Sequence, residues 1–283
     1  MMVLRMVHKY KKAWDRNDPN MISALDDTPL WSAPFGQALL DAVPLRRGCH
    51  VLDIGTGLGY PALELAQRLD ADSRVIGLDP WQAGLSRVRA KATIFGVTTC
   101  SVYRGIAESM PFADEAFNLI ISNNGLNNVT NRLAAWRECY RVARCGASVV
   151  ATENTSGSMA AFYETYAETL EAVGMASLIP AMNAQIRENR RPLEETMAII
   201  RGAGFAIRRI KEHGFNYRFV DGTAMFHHFG MRMGFIDGFK SILHVNDRVR
   251  VFDILEAKLN EKAAKHGSLT LSIPFVCIEA FKN

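Results

Sequence analysis

The stretch Val51–Tyr60, VLDIGTGLGY, constrains this chain more than any other. Val51-Leu52-Asp53-Ile54 has the length and β-branched content of a buried strand. Gly55, Gly57 and Gly59 alternate along the turn that follows. From Pro61 the chain resumes with helical spacing, placing Ala62, Leu65, Ala66 and Leu69 on one face. Glycines in such a turn reach φ > 0 and let a ligand approach the backbone, while the start of the helix offers free N–H groups. The spacing departs from the dinucleotide pattern G-x-G-x-x-G, because Tyr60 stands at the third glycine. What the chain carries is Asp53-x-Gly55-x-Gly57-x-Gly59, with an acid inside the end of the strand.

Strand and helix patterns alternate downstream, as a parallel, doubly wound sheet requires. Residues 74–79 form a strand ending in Asp79, residues 81–95 a helix, and residues 101–104 a third strand. Residues 117–122 are a fourth strand, 131–143 a helix and 146–152 a fifth strand. Ligands of such sheets bind at the C-terminal ends of the strands. Before this core, residues 1–30 read as one or two short helices, and a short helix through Leu39, Leu40 and Val43 stops at Pro44. After it, residues 156–191 read as inserted helices and 192–202 as a helix of the core. Residues 205–210 form a strand, continued by or broken from 215–220, and 268–281 the last strand. The domain plan is an N-terminal helical segment, 1–48, and a domain over 49–283 with helical insertions at about 156–191 and 221–267.

Composition removes several classes. Hydrophobic content of 48% and charged content of 22% over 283 residues are globular values. A net charge of +4 is mild, and Lys9-Tyr10-Lys11-Lys12 reads as a solvated face, so no nucleic-acid partner is expected. Cys49, Cys100, Cys139, Cys145 and Cys277 show no C-x-x-C spacing and read as reduced thiols of a cytoplasmic protein, with no metal site. Arg5, His8 and Lys9 interrupt the N-terminal apolar residues too early for a signal peptide, and no apolar run is long enough for an integral membrane segment.

The stretch 51–60 resembles motif I of the class I S-adenosylmethionine-dependent methyltransferases. Two later stretches carry the same resemblance in the right order. Asp79 ends the second strand, where a carboxylate can accept both ribose hydroxyls of an adenosine; its bland alternative is a helix cap. Gly105-Ile106-Ala107-Glu108-Ser109-Met110-Pro111-Phe112 resembles the family's G-x-A-E-x-L-P-F, with Met110 for the usual leucine. The resemblance covers residues 49–153 and is of the small-molecule kind, similar to the quinone-biosynthesis and sterol methyltransferases. It implies a Rossmann-like α/β fold, a doubly wound, seven-stranded, mostly parallel sheet with the helical insertions forming a lid. It implies S-adenosylmethionine as cofactor and S-adenosylhomocysteine as product. The implied cofactor residues are Asp53 beside the ammonium, Gly55, Thr56 and Gly57 of the loop, and Asp79 with Pro80 at the ribose. Trp81 is placed to stack on the adenine, Ala107 and Glu108 border it, and Asn123 and Asn124 line the cofactor. The segment holding Trp31 and Phe35 either packs plainly or folds over the cofactor. Where the quinone and sterol enzymes carry a histidine pair, this chain has Asn127-Asn128, with Asn127 nearer the acceptor.

The expected reaction is methyl transfer to a small, apolar acceptor, with homo-oligomerisation open. If a base is required, the candidates are His227, His228, His244, Glu153 and Tyr163. Met225, Phe229, Met233, Ile236 and Leu243 fall on one helical stripe, with Gly230, Gly234 and Gly238 four apart, read either as a mobile lid or as an ordinary packed helix pair. Three other readings remain: a catalytically silent cofactor-binding fold that partners another protein, an NAD(P)-dependent oxidoreductase, and an aminopropyl transferase. Tyr60 counts against the oxidoreductase, and the lack of a paired acidic motif after the fourth strand counts against the aminopropyl transferase.

Overall fold

The computed structural model describes residues 15–283. The Lys9–Lys12 cluster and the first of the expected N-terminal helices lie outside the described residues. In chain order the elements are α1 (Pro19–Asp26), α2 (Ser32–Ala42), β1 (His50–Ile54), α3 (Ala62–Arg68), β2 (Arg74–Asp79), α4 (Gln82–Phe95) and β3 (Cys100–Arg104). There follow β4 (Phe117–Asn123), α5 (Arg132–Val142), β5 (Ala143–Asn154), α6 (Ala160–Ala172), α7 (Ile179–Asn189), α8 (Leu193–Gly202) and β6 (Ala206–Phe219). The last are α9 (Gly222–His227), α10 (Phe229–Gly234), α11 (Ile236–Lys240), α12 (Arg248–His266) and β7 (Leu269–Phe281).

The seven strands form one sheet in the order β3-β2-β1-β4-β5-β7-β6. The first five pair in parallel, and β7 runs antiparallel to β5 in the register Thr152 to Cys277. This is the doubly wound, mostly parallel sheet expected from the alternating pattern. The β1 strand is buried at four successive positions, Val51 to Ile54, because helices cover both faces of a parallel sheet. Leu52, Ile54 and Ile120 face a cluster with Trp136, Ile200 and Phe205. Val51, Leu119 and Ile121 face the opposite cluster, with Leu39 and Leu65. Phe35 is fully buried, with its ring 4.4 Å from that of Phe275.

The described residues divide into two compact units: one comprises residues 16–155, 192–213 and 275–283, the other 156–191 and 214–274 with Asp15. The first holds the parallel strands and α1 to α5 with α8. The second is mainly helical, and its interior is aromatic. Phe162 is fully buried, stacked on Phe239 at 4.2 Å and surrounded by Tyr166 and Phe226. A single helical stripe over residues 225–243 does not exist. The segment is broken into α9, α10 and α11, so Met225 and Ile236 are core residues of different helices and the three glycines share no common face. Glycine lowers helix propensity by about 1 kcal/mol against alanine, and Gly230 and Gly234 lie in the short α10, where they weaken any longer helix. β6 is continuous across residues 206–219, with no break before Phe215.

Candidate active site

The buried acid of β1 is the centre of the site. Asp53 is fully buried, and neither of its carboxylate oxygens makes a hydrogen bond. Burial pushes its pKa up to about 7; the neighbouring Thr56 hydroxyl acts in the opposite direction, and the charge of Asp79 adds to the rise. The Thr56 hydroxyl is itself buried without a partner. Two adjacent buried polar groups with spare capacity are uncommon in a folded protein, where such groups are ordinarily satisfied.

The loop above Asp53 is held by β2. Gly55 and Thr56 donate their N–H groups to the Leu78 carbonyl at 2.9 and 3.2 Å, and Gly59 donates to Thr56. Gly57 donates to Asp79 Oδ2 at 2.9 Å. These four N–H groups, which a phosphate-binding loop would turn toward its ligand, are spent inside the protein. The loop therefore presents a buried carboxylate and suits a cation. Gly55 has φ of +75°, and a Cβ there would stand 2.8 Å from the Gly125 backbone. Gly57 has φ of +53°, but a Cβ there would meet nothing nearer than 4.0 Å. Gly55 is thus required by the fold, whereas the space over Gly57 is open to a ligand.

Asp79 does not cap α4 by its side chain; it braces two turns, with Oδ1 accepting from the Trp81 N–H at 2.8 Å and Oδ2 from Gly57. Each oxygen keeps a second lone pair. Trp81 donates its indole N–H to the Arg16 carbonyl at 3.1 Å and packs its ring over Gly84, where a Cβ would come within 2.6 Å of it. Pro80 joins Asp79 to Trp81. Ala107 is buried, and Glu108 accepts from the Thr130 and Asn131 N–H groups at 2.9 and 3.1 Å, ahead of α5. Asn123 donates to the Ser32 carbonyl and accepts from Thr152, tying α2 to the end of β4. Asn124 takes the left-handed conformation, φ of +56°, which asparagine tolerates better than most residues.

Asn127 is buried, 4% exposed. Its amide hydrogen-bonds to Asn154 and to Arg132. Arg132 pairs with Glu153 at 3.1 Å, and Thr196 of α8 donates to the same carboxylate at 3.2 Å. Glu153 is accordingly committed to an ion pair, which removes it as a free base. The other base candidates lie in the helical unit. His227 is exposed and bonds to the Thr223 carbonyl of its own helix, and His244 is exposed. Tyr163 is buried, accepts from Arg190, and has its pKa raised by burial. His228 is partly buried, its Nδ1 has no partner, and burial lowers its pKa, which keeps the ring neutral.

Two features escaped the sequence reading. Ser122 donates to the Ile54 carbonyl and accepts from Leu126, both at 2.9 Å, locking the loop after β4 to the end of β1. Gly125 is needed there because a Cβ would fall 2.3 Å from the Ile54 oxygen. Only the glycine itself could have signalled this.

Residues 52–151 match the family model of a methyltransferase domain. Over 108 residues, 37% of the chain, the sequence is 39% identical to a demethylmenaquinone methyltransferase of Roseiflexus sp., of whose length the match spans 42%. A demethylmenaquinone methyltransferase of Staphylococcus aureus is 25% identical over 80% of this chain and 91% of its own. Among solved structures, the YcgJ protein of Bacillus subtilis superposes with a TM-score of 0.59 at 17% identity, over 89% of this chain and 98% of its own. Its likeness bears on the fold. Among the described residues no helix is long and apolar enough to cross a membrane, and no group of three potential ligands forms a metal site. Residues 52–151 thus match a methyltransferase domain, and the chain shares its fold with the YcgJ protein.

Proposed function

We propose that the chain transfers a methyl group from S-adenosylmethionine to a small-molecule acceptor. The observation that carries this reading is the unshared, buried carboxylate of Asp53 beneath a loop whose Gly55, Thr56, Gly57 and Gly59 N–H groups are spent. A dinucleotide needs N–H groups aimed at a pyrophosphate. A donor with an ammonium and a sulfonium needs the reverse, a fixed anion. Asp53 and the Thr56 hydroxyl would hold the amino-acid end, the open face of Gly57 the chain, and the spare lone pairs of Asp79 the ribose hydroxyls. Pro80, Trp81, Ala107 and Glu108 would border the adenine, and Asn123 and Asn124 would close the site along β4.

The donor brings an already activated methyl group. The protein's part is alignment and exclusion of water. Asp53 would neutralise the ammonium inside the sheet edge, and its pKa would fall with that cation bound, because opposite charge favours the ionised carboxylate. The Arg132–Glu153 pair and Ser122 keep the loop after β4 in place. The relatives' names, demethylmenaquinone methyltransferases, support a small-molecule acceptor. The five cysteines, none in a disulfide, favour the cytoplasm.

Calorimetric titration with S-adenosylmethionine, S-adenosylhomocysteine and NAD in parallel tests the donor assignment. Binding of the two adenosyl compounds and not of NAD is expected. Binding of NAD alone would overturn it.

A further inference from the structure

We propose that Arg190 and Tyr163 of the helical unit form an anchor for the carboxylate of an apolar acid. Arg190 follows the C-terminal end of α7 and is 4% exposed. Its Nη1 donates to the Tyr163 hydroxyl at 3.0 Å, and the guanidinium lies 5.3 Å from the centre of the Tyr163 ring. Its Nε is buried with no hydrogen-bond partner, and among the described residues no carboxylate lies within ion-pairing distance of it.

A guanidinium stays charged in a protein, and burying one without a counter-ion is costly. The same chain shows how a buried arginine is ordinarily accommodated. Arg132, 5% exposed, has Glu153 at 3.1 Å and three further oxygen acceptors, in Asn127 and Thr196. Arg190 has a phenol in place of a carboxylate. An anion brought by a ligand would complete it, in the planar geometry that a guanidinium fork offers a carboxylate.

The surroundings define the rest of that ligand. Tyr163 meets Phe239 edge-on at 5.6 Å, and Phe162 and Phe235 stack on Phe239 at 4.2 and 6.2 Å. The cation therefore borders an aromatic wall of low polarity. A monoanionic carboxylate on an apolar body balances one guanidinium there, whereas the second charge of a phosphate would be buried without a partner. Tyr163 supplies the second contact: its hydroxyl already accepts from Arg190 and reaches Gln185 only at 3.4 Å, so its proton can turn to a ligand oxygen.

The test is calorimetry on the full chain, with and without saturating S-adenosylhomocysteine, using benzoate, 2-naphthoate and octanoate, each beside its neutral amide. At least one carboxylate is expected to bind about tenfold or more tightly than its amide, a margin within the reach of one charge-assisted hydrogen bond. Arg190→Met is expected to erase that preference, and Tyr163→Phe to reduce it. Should Arg190→Met not fold, Arg190→Lys, which keeps the charge and loses the fork, is expected to lower the preference. Equal affinity within every pair, absence of binding included, would overturn the proposal. So would a preference that survives at Arg190→Met, or binding of inorganic phosphate in place of the carboxylates. The S-adenosylhomocysteine titration separates the two readings: its failure removes methyl transfer and leaves the carboxylate result to stand by itself.

Discussion

Asp53 is an acid whose ordinary pKa of 3.8 is raised to about 7 by complete burial. The folded chain therefore binds a proton that the unfolded chain releases between those two values. Stability of the ligand-free protein is full below pH 4, falls as pH rises toward 7, and is flat above it, with about 4 kcal/mol at stake for such a shift. Urea unfolding across pH 4 to 8 checks this. Asp53→Asn should flatten that profile, make the free protein more stable than wild type at pH 8, and weaken donor binding at least tenfold. Two neighbouring glycines divide the same labour. Gly55→Ala places a Cβ 2.8 Å from backbone at a positive φ and should cost about 2 kcal/mol or more of stability. Gly57→Ala meets open space, so it should cost about 1 kcal/mol of stability while greatly weakening S-adenosylhomocysteine binding. Thermal melts with and without that ligand separate the two effects. Asp53 and both glycines were legible in the sequence, because strand, turn and helix at this spacing leave few other arrangements.

At the scale of elements, the Arg132–Glu153 pair joins α5, β5 and α8 where β4 delivers Asn127. Removing one partner leaves the other buried and uncompensated, so Arg132→Met should destabilise by about 3–5 kcal/mol. The double variant with Glu153→Met should recover most of that loss, which a double-mutant cycle in urea measures. None of this network was legible in sequence. Its residues lie up to 69 positions apart, from Asn127 to Thr196, and each reads locally as a helix start, a strand end or a turn. The regular elements were legible for the opposite reason. Residues 82–95 and 132–142 show their burial in their own periodicity. The stripe over 225–243 misled because the same residues satisfy a helical period while their glycines interrupt the helix.

The whole molecule consists of two units that the chain enters and leaves repeatedly, through residues 155, 191, 213 and 274. A donor that binds only the folded first unit should raise its stability by mass action, about 2.7 kcal/mol at a hundredfold excess over Kd. Hydrogen exchange with saturating S-adenosylhomocysteine should then slow at residues 53–59 and 105–109 and along 122–128. Protection confined to the helical unit would contradict the assignment of the donor to the first unit.

The sequence by itself determined the chain order of strands and helices in the core and the acid and glycines at the end of β1, because these follow from short periods and from glycines at particular spacings. Tertiary structure decided everything that depends on distant partners. It turned the loop's N–H groups inward, left Asp53 without a hydrogen bond, gave Arg132 a counter-ion and withheld one from Arg190. The cost of a buried charge depends on what lies within about 4 Å of it, and no local pattern of residues records that distance.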